Sequence, residues 1–162
     1  MRRLFHLLAV LLSLCSPAGA DEVAVPPPPA DAVCPVCGMF VAKYPEWTAT
    51  VVYKDGHSQY FDGAKDLFKF LFAMPRYAPG HSFAEVSAMA VTDYYDVRPL
   101  DARAAFYVIG SDVLAPMGHD LVPLATRAEA DDFVKDHKGR AVLTFEQVTP
   151  EVIRDLDGNG RR

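Results

Sequence analysis

Three sulfur-bearing side chains lie close together in the sequence, at Cys34, Cys37 and Met39. Cysteines three residues apart are compatible with a redox disulfide, half of a zinc site, a soft-metal site or a structural crosslink in an oxidising compartment. The thioether of Met39 favours a soft ion such as Cu(I), because zinc prefers thiolate, imidazole and carboxylate ligands. Gly38 lets the backbone fold tightly enough for neighbouring sulfurs to face one ion. Methionine is also a common core residue, so this segment alone leaves the alternatives open.

The sequence around the cysteine pair gives less support to two of the alternatives. A thiol-disulfide oxidoreductase normally places its first cysteine at the start of a helix, whose dipole lowers the pKa of the thiol. No helix is predicted over residues 40–45, which follow the pair. A zinc-stabilised interaction domain usually supplies a second cysteine pair or two closely spaced histidines, and the sequence shows neither. Both alternatives are weakened and remain open.

A second candidate segment, Ala115-Pro116-Met117-Gly118-His119-Asp120, carries a thioether and an imidazole. Its proline and glycine predict a loop between two strands. A methionine or histidine in a loop usually has no connection with a ligand. The segment therefore becomes relevant only if the fold brings Met117 and His119 close to Cys37 and Met39.

Hydrophobic patterning and turn residues predict the elements that would position these segments. The turn Lys54-Asp55-Gly56 separates two strands of a hairpin, and Asp62 is predicted to cap the helix that follows. These four elements (strand, strand, helix, strand) are predicted over residues 47–53, 58–61, 63–72 and 85–95.

A second set of elements repeats this order downstream. Thr126 and Glu129 have the spacing of a capping box, and Gly139 is a typical helix stop. The elements are predicted over residues 104–110, 120–124, 126–138 and 141–145, with a short final helix over about 150–157. The chain is therefore predicted to have an α+β fold of two pseudo-symmetric β-β-α-β units, over about 45–95 and 104–148.

The N-terminus predicts export. Arg2 and Arg3 precede a short apolar stretch at residues 4–14, and Ala18-Gly19-Ala20 fits the small-x-small rule for signal peptidase. Residues 1–20 are therefore predicted to be a signal peptide. Lipid anchoring through Cys15 is the minority alternative, because Leu14 stands where a small residue is needed.

The remaining chain is predicted to contain a flexible tether and one folded domain. Residues 21–33 include four consecutive prolines, which favour an extended path. The metal-binding domain would then span residues 34–162. The composition, 51% hydrophobic and 23% charged, is that of a globular protein, and the net charge of -5 argues against a nucleic-acid binder.

Several separated motifs, in order along residues 34–148, resemble the NosL family of nitrous oxide reductase accessory proteins. The first is Cys34-Pro35-Val36-Cys37-Gly38-Met39-Phe40-Val41 followed by Lys43-Tyr44-Pro45-Glu46-Trp47. The others are Tyr60-Phe61-Asp62-Gly63, Val91-Thr92-Asp93-Tyr94-Tyr95, Ala105-Phe106-Tyr107-Val108-Ile109-Gly110-Ser111-Asp112-Val113 and Pro116-Met117-Gly118-His119-Asp120-Leu121-Val122-Pro123.

The resemblance implies a periplasmic Cu(I) chaperone rather than an enzyme. Such proteins supply copper for the sulfide-bridged copper centres of nitrous oxide reductase, together with a membrane ABC-type transporter complex. Carried over by position, the strongest ligand candidates are Cys37 and Met39, and the third is Met117. His119 and Cys34 are further candidates.

The sequence departs from the family pattern in two respects. Many relatives are lipoproteins, whereas Leu14 disturbs the lipidation pattern before Cys15. Asp120 and Leu124 stand where Glu and an aromatic residue are expected, which is a conservative change. We also expect the site to be built from both halves of the chain, with Met117 as the third soft donor.

Overall fold

The structure is a computed structural model and describes residues 19–159. The predicted signal peptide therefore lies almost entirely outside the described residues, and so does Cys15. Across the described part of the chain, none of the helices has the length and apolar character needed to cross a membrane.

The first half of the chain forms a four-stranded antiparallel sheet in the order β2-β1-β3-β4. Gly56, with a φ of 91°, makes the turn between its first two strands, a conformation that favours glycine. The elements of this half are β1 (Ala49–Tyr53), β2 (Ser58–Phe61), α1 (Ala64–Phe72), α2 (Met74–Tyr77), β3 (Val86–Thr92) and β4 (Pro99–Asp101).

The second half forms a three-stranded antiparallel sheet in the order β6-β5-β7. The predicted capping box is present, since the Thr126 hydroxyl accepts from the Glu129 amide at 3.1 Å and the Glu129 carboxylate accepts from the Thr126 amide at 2.8 Å. The elements of this half are β5 (Phe106–Ile109), β6 (Val122–Leu124), α3 (Arg127–Asp136), β7 (Ala141–Leu143) and α4 (Pro150–Asn159).

The predicted α+β class is confirmed, and each predicted helix and strand has a counterpart. In the first sheet β1 lies between β2 and β3, and in the second sheet β5 lies between β6 and β7. The first strand of each predicted unit thus pairs with the other two strands of that unit. One strand, β4, and one α-helix, α2, were not predicted. Three residues are too few for a periodic signal, and α2 has Pro75 in its first turn, where the missing N–H of proline costs nothing.

Aromatic side chains join the two halves through a shared core. Phe68 on α1 packs edge-on against Tyr107 on β5, with ring centroids 5.3 Å apart, and both rings are fully buried. Phe61 and Phe70 pack in the same cluster at 5.0 Å. Because this core is common to both sheets, loops from the two halves are held in fixed relative positions.

The segment predicted to be a flexible tether, residues 21–33, is docked on the domain in the structure. Glu22 pairs with Leu100 of β4, and the Val23 amide donates to the Pro99 carbonyl at 3.1 Å. Before this segment, the Ala20 amide donates to the carbonyl of Ala125, the residue after β6, at 2.7 Å. The edge strand β4 would otherwise leave backbone groups unpaired, which explains the docking. We had expected the folded part to begin at Cys34. In the structure, the backbone pairs with the domain before that residue.

Candidate metal centre

The cysteine pair lies on a tight turn at residues 34–39. The Cys34 amide donates to the Met39 carbonyl at 2.9 Å, and the Gly38 amide donates to the Cys34 carbonyl at 2.9 Å. Gly38 has a φ of 82°, which a side chain would oppose, so the predicted tight turn at this glycine is present. Both described cysteines are free thiols; Cys34 is buried and Cys37 is half-buried, as is Met39.

Two aspartates at the start of α1 face the two thiols. The Cys37 Sγ donates to Asp62 Oδ1 at 3.0 Å, and the Cys34 Sγ donates to Asp66 Oδ2 at 3.4 Å. The four ligand atoms lie within 4.8 Å of one another, and within residues 19–159 no other group of three or more His, Cys, Asp or Glu side chains is so arranged. The second oxygen of Asp62 has no hydrogen-bond partner among the described residues.

The predicted role of Asp62 as the cap of α1 is wrong. The N-cap is Gly63, which has no side chain to accept a hydrogen bond from the helix. Asp120 of the second half takes this role, since its Oδ1 accepts from the Lys65 amide at 2.6 Å and from the Leu121 amide at 2.7 Å. The Asp62 carboxylate is therefore free to face Cys37. Sequence reasoning missed Asp62 and Asp66 as site residues, although two acids four residues apart at a helix start could have indicated them.

The site holds both thiols in their protonated form. Burial, with a smaller contribution from the charge of Asp66, raises the pKa of Cys34 to about 12, although backbone N–H groups of Cys37 and Val36 oppose the shift. Burial and the hydrogen bond to Asp62 raise the pKa of Cys37 far above its ordinary value. A bound cation would have to displace these protons.

The downstream loop is fixed against the same turn of α1. The Lys65 Nζ donates to the His119 carbonyl at 2.6 Å and to the Met117 carbonyl at 3.3 Å. Ala115 and Gly118 close the loop with a reciprocal pair of backbone hydrogen bonds at 2.9 Å. Met117 is 48% exposed, so its side chain is not fully packed against the rest of the domain.

Gly63 permits this close approach of the two halves. A methyl group at Gly63 would overlap the Asp120 carboxylate. The backbone of Gly63 is extended, a conformation open to any residue, so glycine is needed here only because there is no space for a side chain. Complete burial raises the pKa of Asp120 to about 7, although the positive charge of Lys65 opposes the shift.

The structure therefore brings the predicted ligand segments to residues 62–66. The thiols of Cys34 and Cys37 reach this turn through their side chains, and Met117 and His119 reach it through their carbonyls. The imidazole of His119 is not a member of the thiol and carboxylate group. Which of the predicted donors bind a metal stays a prediction.

Comparison with known proteins gives consistent matches. The family model described as NosL matches residues 27–153. The copper-binding lipoprotein NosL of Stutzerimonas stutzeri is 28% identical over 123 residues, which are 75% of this chain and 64% of that protein. The present chain thus spans less than two thirds of the length of that curated relative.

Two solved structures are also similar. The crystal structure of the copper chaperone NosL from Shewanella denitrificans matches with a TM-score of 0.66 and 21% identity, over 79% of this chain and 97% of that chain. The solution NMR structure of the apo-NosL protein from Achromobacter cycloclastes matches with a TM-score of 0.45 and 22% identity, over 65% of this chain and 87% of that chain. The first of these supports the assigned fold.

Proposed function

This chain belongs to the NosL family, and from that premise we propose that it is a periplasmic Cu(I) chaperone supplying copper for the assembly of nitrous oxide reductase. Two similar proteins are named as a copper-binding lipoprotein and a copper chaperone. A chaperone binds and releases its metal without catalysis of its own, so the ion is cargo.

One observation carries the proposal: two segments that carry soft donors, from distant parts of the chain, meet at residues 62–66. The turn at residues 34–39 brings two thiols there, and the loop at residues 115–120 carries a thioether and an imidazole. Sulfur ligands suit a soft ion such as Cu(I). We assign Cys37, Met39 and Met117 as the main ligands, with His119 and Cys34 as further candidates.

Partial exposure of the site suits a chaperone. A protein that hands over a metal must let a ligand of the recipient reach the ion while its own ligands still hold it. Met117 is 48% exposed, whereas Cys34 is 1% exposed. An ion held between them would have one face open to a partner and the other buried in the domain.

The electrostatics of the site argue against a thiol-disulfide oxidoreductase. Such enzymes lower the pKa of the attacking thiol so that it is ionised near neutral pH. Here burial and the neighbouring carboxylates raise the pKa of both thiols. The residues after the pair form a 3-10 turn, Val41–Lys43, rather than a helix whose dipole could stabilise a thiolate.

Zinc is a second candidate ion for this site, because of one specific observation. Cys34, Cys37, Asp62 and Asp66 offer two sulfurs and two oxygens within 4.8 Å of one another. Zinc accepts both kinds of ligand in a tetrahedral arrangement, whereas Cu(I) has little affinity for carboxylates. The zinc-stabilised interaction domain therefore remains the alternative that a titration must exclude.

The proposed partners are nitrous oxide reductase and its membrane ABC-type maturation complex. Export to the periplasm follows from the predicted signal peptide, and the relative named as a lipoprotein supports an exported, membrane-associated protein. The net charge of -5 would favour docking to a basic surface of the partner.

Anaerobic titration of the reduced protein with Cu(I), against a competing chelator, tests the proposal. We expect a single Cu(I) ion per chain, retained far more tightly than Zn(II) or Cu(II) in parallel titrations. Zinc retention equal to or stronger than that of Cu(I) would instead support the zinc-stabilised domain. Transfer of the bound copper to the isolated maturation complex then tests delivery, and copper that stays with the chaperone would contradict it.

A further inference from the structure

Lys65 is a buried lysine at the centre of the contact between the two halves. Its side chain is 4% exposed, although it carries a positive charge. Burying an ammonium group is costly unless each of its hydrogens finds an acceptor. Lys65 must therefore be matched by specific partners, and their identity indicates what the residue does.

The partners of Lys65 lie mainly on the candidate ligand loop. Its Nζ donates to the His119 carbonyl at 2.6 Å and to the Met117 carbonyl at 3.3 Å. The third partner is the carboxylate of Asp157 on α4, whose Oδ1 lies 3.5 Å away. Two of the three acceptors are thus backbone groups of the two residues that we assign as ligands from the second half.

The backbone of Lys65 takes part in the same contact. Its amide donates to Asp120 Oδ1 at 2.6 Å, so Lys65 binds the loop through both its main chain and its side chain. Its neighbour in the sequence, Asp66, accepts the hydrogen bond of the Cys34 thiol. Neighbouring residues in the first turn of α1 thus contact both Cys34 of the cysteine pair and the loop that carries Met117.

In the described part of the chain the two ends of the loop, Ala115 and Asp120, are buried, but the residues between them form few hydrogen bonds to the rest of the domain. Its internal hydrogen bonds join Ala115 to Gly118, and the side chain of Met117 is half exposed. Without the ammonium group, the carbonyls of residues 117 and 119 would lose their partner and the loop could move relative to α1. A sulfur donor on a mobile loop loses much of its contribution to binding, because binding must then restrict its motion.

We propose that Lys65 is a positioning residue for Cu(I) binding, which fixes the loop of Met117 and His119 against α1 through their carbonyls. The proposal rests on the proposed function. Groups that orient the ligands of a metal site typically change its affinity about 10- to 100-fold when they are removed. Lys65 would act in this way without touching the ion.

A double-mutant cycle tests this role. Lys65→Leu removes the donors of the side chain without adding a sulfur ligand, and we expect it to weaken Cu(I) binding about 10- to 100-fold. In the double variant Met117→Leu, His119→Ala the loop carries no metal-binding side chain. Lys65→Leu should then have almost no further effect, which separates positioning of the loop from general destabilisation.

Asp157→Asn is the matched control, because it removes the carboxylate charge that pairs with Lys65 and Lys69 but neither carbonyl contact. We expect it to keep the Cu(I) affinity of the unmodified protein. X-ray absorption of the copper-loaded Lys65→Leu protein should show fewer sulfur neighbours around copper than in the unmodified protein. If Lys65→Leu does not fold, Lys65→Gln, which puts a neutral amide on a shorter side chain, enters the same cycle.

The outcomes separate this proposal from the proposed function. If the unmodified protein does not bind Cu(I), the proposed function fails. If it binds Cu(I) and Lys65→Leu leaves the affinity unchanged, or weakens it equally when the loop carries no metal-binding side chain, the positioning role is overturned. An equal loss in Asp157→Asn would also overturn it, since the ion pair rather than the loop carbonyls would then be responsible.

Discussion

The Cys37 thiol donates a hydrogen bond to Asp62 Oδ1 at 3.0 Å, so the strongest ligand candidate of the site is paired with a carboxylate. Cys34 and Asp66 form a second pair of the same kind at 3.4 Å. A negative acceptor next to a sulfur opposes loss of the thiol proton until a cation arrives to replace it. The metal-free site therefore keeps its sulfurs in the less reactive thiol form.

The pairing of Cys37 with Asp62 predicts a change in thiol reactivity. Asp62→Asn removes the negative charge and should lower the pKa of Cys37 by about 1 unit or more, because a hydrogen-bonded charge shifts a pKa by this order. Alkylation by iodoacetamide, followed against pH in a Cys34→Ser background, should therefore become faster at neutral pH. Asp131→Asn, on α3, is the control and should leave the rate unchanged. An unaltered pH profile for Asp62→Asn would contradict the pairing.

The raised thiol pKa values predict that Cu(I) binding depends on pH. Each thiol that becomes a ligand must release a proton, and Cys34, with a pKa of about 12, is protonated throughout the neutral range. The apparent Cu(I) affinity should therefore rise with pH, about tenfold per unit for each thiolate ligand. Competition titrations at several pH values measure this slope.

The same slope reports on Cys34. If Cys34 binds the ion, Cys34→Ser should reduce the slope by the contribution of one thiol. If only Cys37 binds, the slope should stay as it is. A pH-independent affinity would exclude thiolate ligation altogether.

The proposed ligand set predicts an order of effects. Cys37→Ser should weaken Cu(I) binding most, because a thiolate is the strongest donor present. Met117→Leu should weaken it less, by about tenfold, and should keep the fold because the side-chain volumes are similar. The control is Met89→Leu, the same substitution at a buried position in β3, which should leave the affinity unchanged. If Met117→Leu has no effect while His119→Ala weakens binding, the imidazole is the third ligand.

The contact between Gly63 and Asp120 predicts a loss of stability in Gly63→Ala. The added methyl group overlaps the Asp120 carboxylate, and we expect a loss of about 1–3 kcal/mol in the free energy of unfolding, measured by urea denaturation. Gly158→Ala in α4 is the matched control, because nothing lies within 4 Å of a methyl group there. Alanine is the better helix former, so this variant should be as stable as the unmodified protein or up to about 1 kcal/mol more stable. Equal stability of the two variants would show that the second half can move away from α1 at little cost.

The predicted processing site is testable by mass spectrometry of the exported protein. We expect the mature chain to begin at Asp21, because Ala18 and Ala20 satisfy signal peptidase while Leu14 disturbs lipidation. An acylated Cys15 at the N-terminus would establish a lipoprotein instead, as in the relative named as one.

Much of the local structure could be predicted from sequence because its causes are local. β2 lies over Ser58–Phe61 as predicted, since the aromatic residues Tyr60 and Phe61 follow a glycine turn. The capping box of α3 forms between Thr126 and Glu129, three residues apart. The sulfur ligand candidates could also be proposed from sequence, because the softness of a donor is a property of the residue type.

The tertiary structure decided which side chains face one another. Asp62 has the residue type and position of a helix cap, yet it faces the Cys37 thiol because Asp120, 55 residues beyond Lys65, takes the helix amide. The docking of Glu22 on β4 likewise depends on an edge strand far along the chain. Such pairings join residues whose sequence separation carries no periodic signal. They form only when the common core around Phe68 and Tyr107 brings the two halves together.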